Sequence, residues 1–589
     1  GSPNDLDQES LRSTGDKLAH YLAQGVHDRL AYDWERTRYV LSFGAGLFES
    51  FPPTAMMLRV HGELRRGTPG RRTKVVQIDP RLGMTASKAD EWVQIEPGTG
   101  GALALGLAHV LIRERLYDED FVRRHTFGFE GWTDSTGRPQ LGFHDLVLSR
   151  YPPEAVSKIT GVPAETIERL AREFAGNRPA IAVAGRGVAA HANGVHGVLA
   201  VHALNALAGS IDAPGGVMVQ RHPPFAAWPA AELDDRSRRG LSRPRIDEDP
   251  DIPFGPSVFP RLADRLERGD PYPLKALLLY YTNPLFSAPN PERLRATFDR
   301  IPFIVSFSPF MDESTVQADL VRPDHTYLER WQIEEPPPST GFPLFSVRQP
   351  VVEPLHDTMS TGEALIRIAQ GIGGAVARSF PTGEIEMIRD LVRGVHQSGR
   401  GSVRGATFDE FWEKLLAVGG WWDPPYTFGR WNEALPTPTG KYEFFATRLD
   451  ARLEEMSPGG RRGDEDCLPH HQPLPAPVAP ALFRLRSYTT MTHAEGRGAN
   501  QPHLQELFGV QFDRCWEPWV EIHPEDARAL GVAENDFVWL VSGGNRARVR
   551  AVLHEGTPRG MVCQPLEYGH TAYGRWAAGR GVNVNRLVT

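Results

Sequence analysis

The stretch R-Y-V-L-S-F-G-A-G-L-F-E-S, residues 38–50, constrains this chain more than any other part of it. Tyr39, Val40, Leu41 and Phe43 form a short apolar run bounded by polar residues, the pattern of a buried strand in an α/β sheet. Gly44 and Gly46 follow at once. Glycine at a strand end lets backbone approach a ligand, because no Cβ intervenes. The N–H groups of such a turn, with the helix that follows, suit a phosphate. A second predicted strand, residues 74–78, ends in Asp79-Pro80-Arg81, and an acid there suits a hydrogen bond to a nucleotide's sugar or base. The combination reads as a nucleotide-type crevice at strand C-termini. The plainer alternative is that the glycines only close a βα unit.

The same unit recurs downstream. Glu96-Pro97-Gly98-Thr99 turns into an apolar helix over 102–113, and residues 163–174 carry another amphipathic helix. Residues 179–184 form an apolar strand ending in Gly185-Arg186-Gly187, followed by a helix of small residues over 194–209. Further strands are predicted at 275–281, ending in Thr282-Asn283-Pro284, and at 303–308. Alternating strands and helices predict parallel, doubly wound sheets. Residues 220–257 read as an exposed excursion and 456–480 as a linker rich in Gly, Pro and charge. Beyond it the pattern has period two, at 483–489, 537–541 and 547–553, which predicts a small, mostly β domain.

With 589 residues the chain exceeds one core. The expected division is a first α/β domain over 1–175, a second over 176–375, a helical segment and linker over 376–480, and a C-terminal domain over 481–589. A net charge of −8 with dispersed basic residues argues against nucleic acid as a partner. No run of eighteen apolar residues and no signal peptide occur, and the absence of an initiator Met suggests that the natural start lies upstream. Cys467, Cys515 and Cys563 are too scattered for a zinc ribbon or an iron–sulfur site, and are expected to be buried thiols, with a disulfide between two of them left open.

The succession S-F-G-A-G-L-F-E-S, I-D-P-R, E-P-G-T-G-G-A-L-A-L-G, A-G-R-G, Y-T-N-P, T-V-Q-A-D-L-V-R-P-D-H-T-Y-L-E-R and W-V-E-I-H-P-E-D-A-R-A-L-G-V resembles the molybdopterin oxidoreductases of the dimethyl sulfoxide reductase superfamily. Within it the chain is most similar to polysulfide and thiosulfate reductase catalytic subunits. The resemblance implies two α/β domains around a cofactor crevice and a C-terminal six-stranded-type β-barrel. It implies a bis-molybdopterin guanine dinucleotide carrying molybdenum or tungsten. Carried over position by position, Gly44, Gly46 and Glu49 match the first nucleotide loop, Asp79 and Arg81 the strand-end pair, and Gly98 with Thr99 the next turn. Gly185 and Gly187 match the corresponding turn of the second half, and Thr282, Asn283, Pro284, Ser308, Thr315 and Asp319 its later loops. His493, Arg497 and Asn500 fall where the family contacts the pterins; Gly569, His570 and Asn583 fall where it closes over them. His493 and Arg497 are the candidates for steering an anionic substrate.

Two departures from the family stand out. Nothing in this chain replaces the family's N-terminal [4Fe–4S] domain, so no iron–sulfur cluster is expected within it. Counting along Gly1-Ser2-Pro3-Asn4, the metal-ligating cysteine is expected near position 12, where the chain has Arg12. A guanidinium has no lone pair to offer. Either an oxygen of Asp5, Asp7, Ser10 or Ser13 ligates the metal, or Arg12 takes the metal's place and the shell has no redox centre. The resemblance therefore implies two-electron chemistry on a small sulfur compound or oxyanion. Its partners would be a ferredoxin-like iron–sulfur subunit and a quinone-interacting membrane subunit, on the periplasmic side of the cytoplasmic membrane. The alternative is a cofactor-free structural subunit of a quinone-linked respiratory complex. Formate-dehydrogenase-like chemistry is disfavoured, because no cysteine–histidine pair is present for the metal.

Overall fold

The computed structural model describes residues 2–7, 14–66, 72–134, 137–255, 259–460, 463–475, 481–512 and 516–588. Helix α1 (Thr14–Gln24) leads into a sheet built from β1 (Tyr39–Phe43), β2 (Lys74–Ile78), β3 (Glu91–Val93) and β4 (Ala180–Ala184). The order is β3-β2-β1-β4 and every pairing is parallel. Side chains alternate across β1, as a pleated strand requires. Tyr39, Leu41 and Phe43 enter a core with α3 (Gly100–Arg113), α4 (Ala164–Gly176) and α5 (Gly194–Leu207), while Val40 faces Met57, Val60 and Leu64 of α2 (Thr54–Arg66). The helices after β1 and β4 thus cover opposite faces, and the sheet reverses its winding between these two strands. That is where ligands enter open α/β sheets.

Small residues let two helices approach on one face. A Cβ on Gly101 of α3 would lie 2.8 Å from the Gly197 Cα of α5. Helix α5 also closes the outer edge of β4. Asn205 accepts from Ala182 N and donates to Ala182 O, both at 2.8 Å, so that edge is satisfied by a side chain rather than by another strand.

A second parallel sheet has the order β5 (Leu277–Tyr280), β6 (Ile304–Phe307), β7 (Leu320–Arg322) and packs on α6 (Pro291–Phe298); α7 (Thr361–Ile372) lies over Val305 and Phe307. An antiparallel sheet follows, β8 (Gln332–Glu334), β9 (Leu344–Arg348) and β10 (Gly420–Trp422), with Trp421 and Phe345 buried under α8 (Glu384–Ser398) and α9 (Phe408–Val418). The C-terminal unit holds β11 (Arg484–Tyr488), β12 (Trp519–Ile522), α10 (Pro524–Leu530), β13 (Phe537–Ser542), β14 (Asn545–Leu553) and β15 (Met561–Pro565), in the order β11-β15-β12-β14-β13.

Several expectations are corrected. Strand β4 pairs with β1, so the sheet runs through the division drawn at residue 175. The antiparallel sheet joins residues on both sides of position 375. The segment read as a linker is a strap. Cys467 and Leu468 sit in the first unit's core, and Tyr442–Glu443 pairs in parallel with Thr126–Phe127. Local pattern gives an element its type but not its partner, which is why these joins escape a reading along the chain. The C-terminal sheet has five strands among the described residues, and β11 and β13 are its edges, so six strands closed into a barrel are not observed there. Cys467 and Cys563 are buried, as expected, and burial pushes the Cys563 thiol up to about 12.

Candidate functional site

The reversal between β1 and β4 brings two glycine turns into contact. Gly187 N donates to Gly44 O at 3.0 Å and Gly185 N to Phe43 O at 2.9 Å. Gly44 has φ +55°, and a Cβ on it would lie 2.7 Å from Gly187 Cα; one on Gly185 would overlap Ala45. The glycines expected to admit a ligand here admit each other. The next residues behave differently. The N–H groups of Ala45, Gly46 and Leu47 donate to no acceptor among the described residues, although Ala45 and Leu47 are buried. Consecutive buried donors without acceptors are what a bound anion satisfies. Between the two glycines of the facing turn stands Arg186, whose guanidinium reaches Glu495 Oε1 at 2.9 Å.

Beside this turn the strand-end pair is engaged. Asp79 Oδ1 accepts from Arg486 at 2.6 Å, and Arg81 forms a two-pronged contact with Glu521 at 2.5 and 2.7 Å. Arg81 also stacks 3.9 Å from the Tyr488 ring, and the Tyr488 hydroxyl donates to Glu521 at 2.7 Å. These partners come from β11 and β12, so the C-terminal sheet is clamped on the end of β2. Burial alone would raise the Glu521 carboxyl, but the Arg81 hydrogen bonds outweigh it and hold the group below its ordinary value. Glu49, close by and half-buried, is pushed up by desolvation against the pull of Arg81; Met84 N donates to it at 3.3 Å.

A second cluster joins the end of the second sheet to the C-terminal unit. Glu313 accepts from Asn283 Nδ2 at 2.8 Å and Thr571 N at 2.7 Å, and lies 3.1 Å from His570 Nδ1. Desolvation opposes ionisation of Glu313, but these hydrogen bonds, led by His570, hold it at about 2. The His570 ring stacks on Phe286 with centroids 3.6 Å apart, and its Nε2 lies 3.2 Å from Gly496 O. Asn583 donates to Phe286 O at 2.6 Å, Asn500 accepts from Trp576 N at 3.0 Å, and Gly569 packs against Asn583.

The loop 490–500 runs between the two clusters, from Glu495 at Arg186 to Gly496 at His570. Behind it Glu567 is fully buried and accepts from Thr490 N and Oγ1; desolvation pushes its carboxyl up to about 8. His493 Nδ1 is 3.9 Å from Glu567 Oε2, and burial lowers His493 to about 4, so it is neutral near pH 7.

The expected residues therefore divide. Gly44, Gly46, Glu49, Asp79, Arg81, Gly185 and Gly187 share the first cluster; Asn283, Pro284, Thr315, His493, Asn500, Gly569, His570 and Asn583 share the second or its bridging loop. Gly98 and Thr99 lie apart. Gly98 packs against Leu474 of the strap, and Asn193 ties Gly98 O to Gln472 O. Asp319 joins neighbouring strands through Ile304 N at 2.7 Å, Ser308 closes its own turn onto Phe310, and Thr282 precedes Asn283 at the rim. Arg497 is exposed, 6.0 Å from the Tyr281 ring centroid. Arg12 lies outside the described residues, as do Ser10, Ser13 and Cys515. The sequence reading missed Arg186, Glu313, Arg486, Tyr488, Glu521 and Glu567; of these only Arg186 and Glu521 stand inside motifs that drew attention.

The match to known proteins is then decisive. The molybdopterin oxidoreductase model matches residues 5–334 and the molydopterin dinucleotide binding domain matches residues 494–589. The chain belongs to the molybdopterin oxidoreductase family. It thus carries both halves of a molybdopterin-dinucleotide enzyme, one contributing the β1–β4 turns and the other Glu521 of the clamp and the His570 cluster. Among curated relatives of this molybdopterin oxidoreductase, the molybdopterin-containing subunit of arsenate respiratory reductase from Shewanella sp. (strain ANA-3) is 26% identical, covering 98% of this chain and 74% of the relative. The thiosulfate reductase molybdopterin-containing subunit of Salmonella typhimurium is 27% identical over 98% and 74%. The molybdopterin-binding-like subunit of menaquinone reductase from Nitratidesulfovibrio vulgaris is 27% identical over 96% and 69%. Acetylene hydratase from Pelobacter acetylenicus shares the fold, with a TM-score of 0.74 at 20% identity, covering 100% of this chain and 79% of that one.

The residues present fit the dinucleotide's diphosphate: three unsatisfied N–H groups at the winding reversal, with Arg186 adjacent. Asp79 and Arg81, expected at the sugar or base, are committed to Arg486 and Glu521.

Proposed function

We propose that this chain is the catalytic subunit of a two-electron oxidoreductase acting on a small oxyanion or sulfur compound. Its partners in this reading are an iron–sulfur electron-transfer subunit and a quinone-interacting membrane subunit, on the periplasmic side of the cytoplasmic membrane. The observation that carries the reading is the row of unsatisfied N–H groups at Ala45, Gly46 and Leu47, in a chain whose two matched regions are an oxidoreductase domain and a dinucleotide-binding domain. The relatives' names support an oxyanion: arsenate in one, thiosulfate in another. No helix among the described residues is long and apolar enough to cross a membrane, so membrane attachment in this reading is through a partner.

The bound molybdopterin group supplies the two-electron transfer itself. The chain's residues bind and orient: the three N–H groups hold phosphate oxygens, and Arg186 offsets their charge. Glu567 keeps a proton on its carboxyl up to about pH 8, beside a neutral His493. A buried acid poised near neutrality suits proton supply to an oxygen leaving as water.

The occupied Asp79 and Arg81 favour a second reading, a structural subunit that keeps the shell without its metal. Metal and pterin analysis of purified protein separates the two. The enzyme reading expects molybdenum or tungsten together with pterin fluorescence after acid release, and protein lacking both overturns it.

A further inference from the structure

The two edges of the C-terminal sheet are unlike. Strand β11 carries Arg484 and Arg486 within its five residues, the usual protection of a free edge. Strand β13 reads F-V-W-L-V-S, with no charge, glycine or proline in six residues, and its outer edge pairs with no strand among the described residues. Phe537, Trp539 and Val541 stand on one face at 49%, 54% and 72% exposure. A free, apolar, uncharged edge of this length is a template for an added strand.

The charge on that face is selective. Phe537 lies opposite Arg550, Trp539 opposite Arg548 and Val541 opposite Arg546. The guanidinium of Arg546 lies 4.8 Å from the Trp539 ring centroid, and those of Arg548 and Arg550 lie 4.1 and 4.2 Å from that of Phe537. Arg550 is paired with Glu517, whereas Arg546 and Arg548 have no carboxylate within 4.0 Å among the described residues. Two unpaired guanidiniums thus lie over the edge strand's rings, beside the line about 4.8 Å from β13 along which an added strand would run.

We infer that β13 is a docking edge for an extended acidic segment of a partner polypeptide, which adds a strand to the sheet and sets carboxylates against Arg546 and Arg548. A second copy of this chain is a poor occupant. Two-fold pairing of the same edges continues one face and lines up both sets of arginines, and like charges brought together across strands destabilise.

The test is fluorescence anisotropy with the full chain and a fluorescein-labelled peptide that alternates glutamate with valine. Saturable binding is expected, weakened about tenfold or more in the Arg546→Glu, Arg548→Glu double variant. The same peptide N-methylated at alternate residues, which keeps its charge but cannot form a ladder, is expected to lose binding to the unaltered protein. That control needs no variant to fold. No saturable binding, or equal binding of the N-methylated peptide, overturns the inference. So does sedimentation with phosphatidylglycerol vesicles that depends on the two arginines while the peptide fails to bind, which would make the face a membrane contact. A dimer of the free chain that is lost on Val541→Lys also overturns it.

Discussion

Glu567 has no cation in hydrogen-bonding contact; only Thr490 donates to it among the described residues, and burial keeps its proton on to about pH 8 against an ordinary 4.5. A carboxyl whose pKa is higher in the folded chain favours folding most when protonated. Its contribution is therefore full below about pH 4.5 and is lost as pH rises through about 8. Glu567→Gln keeps the shape without the titration. The stability difference between variant and parent is expected to grow in the variant's favour from pH 5 to 8, by at most about 1.4 kcal/mol per pH unit. Thermal unfolding across that range measures it, and a difference flat with pH contradicts the assignment. At this scale the sequence was legible only in part. Asp79 and Arg81 are recognisable as a strand-end pair, but their partners lie 407 and 440 positions away. Nothing local in R-L-R-S-Y or W-V-E-I announces where those side chains go. Glu567 was hidden for a related reason, since burial belongs to the assembled fold and not to the letters around it.

Among the elements, strands were read well because apolar runs bounded by turns fix their type and extent. The strand predicted at 74–78 is the one observed, and that at 303–308 contains β6. Partnership is what the pattern does not carry: residues 179–184 read as the start of a second α/β unit, yet β4 completes the first sheet by lying against β1. The junction of those two strands makes a prediction of its own. Gly44→Ala places a side chain at φ +55°, 2.7 Å from Gly187 Cα, with only backbone to yield. The expected cost is about 1–3 kcal/mol from the backbone conformation alone. The two turns must also separate, so bound pterin and thermal midpoint are expected to fall together. Gly62→Ala, in helix α2, is the control, because a Cβ there meets nothing within 4 Å. It is expected to leave bound pterin unchanged and to raise the midpoint slightly, since alanine favours a helix interior over glycine by about 0.5–1 kcal/mol.

For the molecule as a whole, the C-terminal sheet is held to the first sheet by buried charge. Arg81 and Glu521 have side chains 11% and 3% exposed. Removing one partner strands the other, so Arg81→Ala or Glu521→Gln is expected to cost about 3–5 kcal/mol. Removing both together is expected to cost much less than the sum, and a double-mutant cycle read by thermal unfolding gives the coupling. Additive single effects would mean that the clamp is not a unit. This scale was the least legible in the sequence, since an ion pair between units follows from docking rather than from any run of residues.

The strap has a consequence for synthesis. Leu468, in a chain of 589 residues, is part of the same core as Leu22 and Phe43. A ribosome must therefore emit most of the polypeptide before the earliest apolar surfaces are finally covered. Through that interval Phe143 and Phe129 await Phe444, which lies with them in the finished core. The nascent chain thus carries uncovered apolar surface through most of its synthesis, and any truncation upstream of residue 468 keeps that surface uncovered.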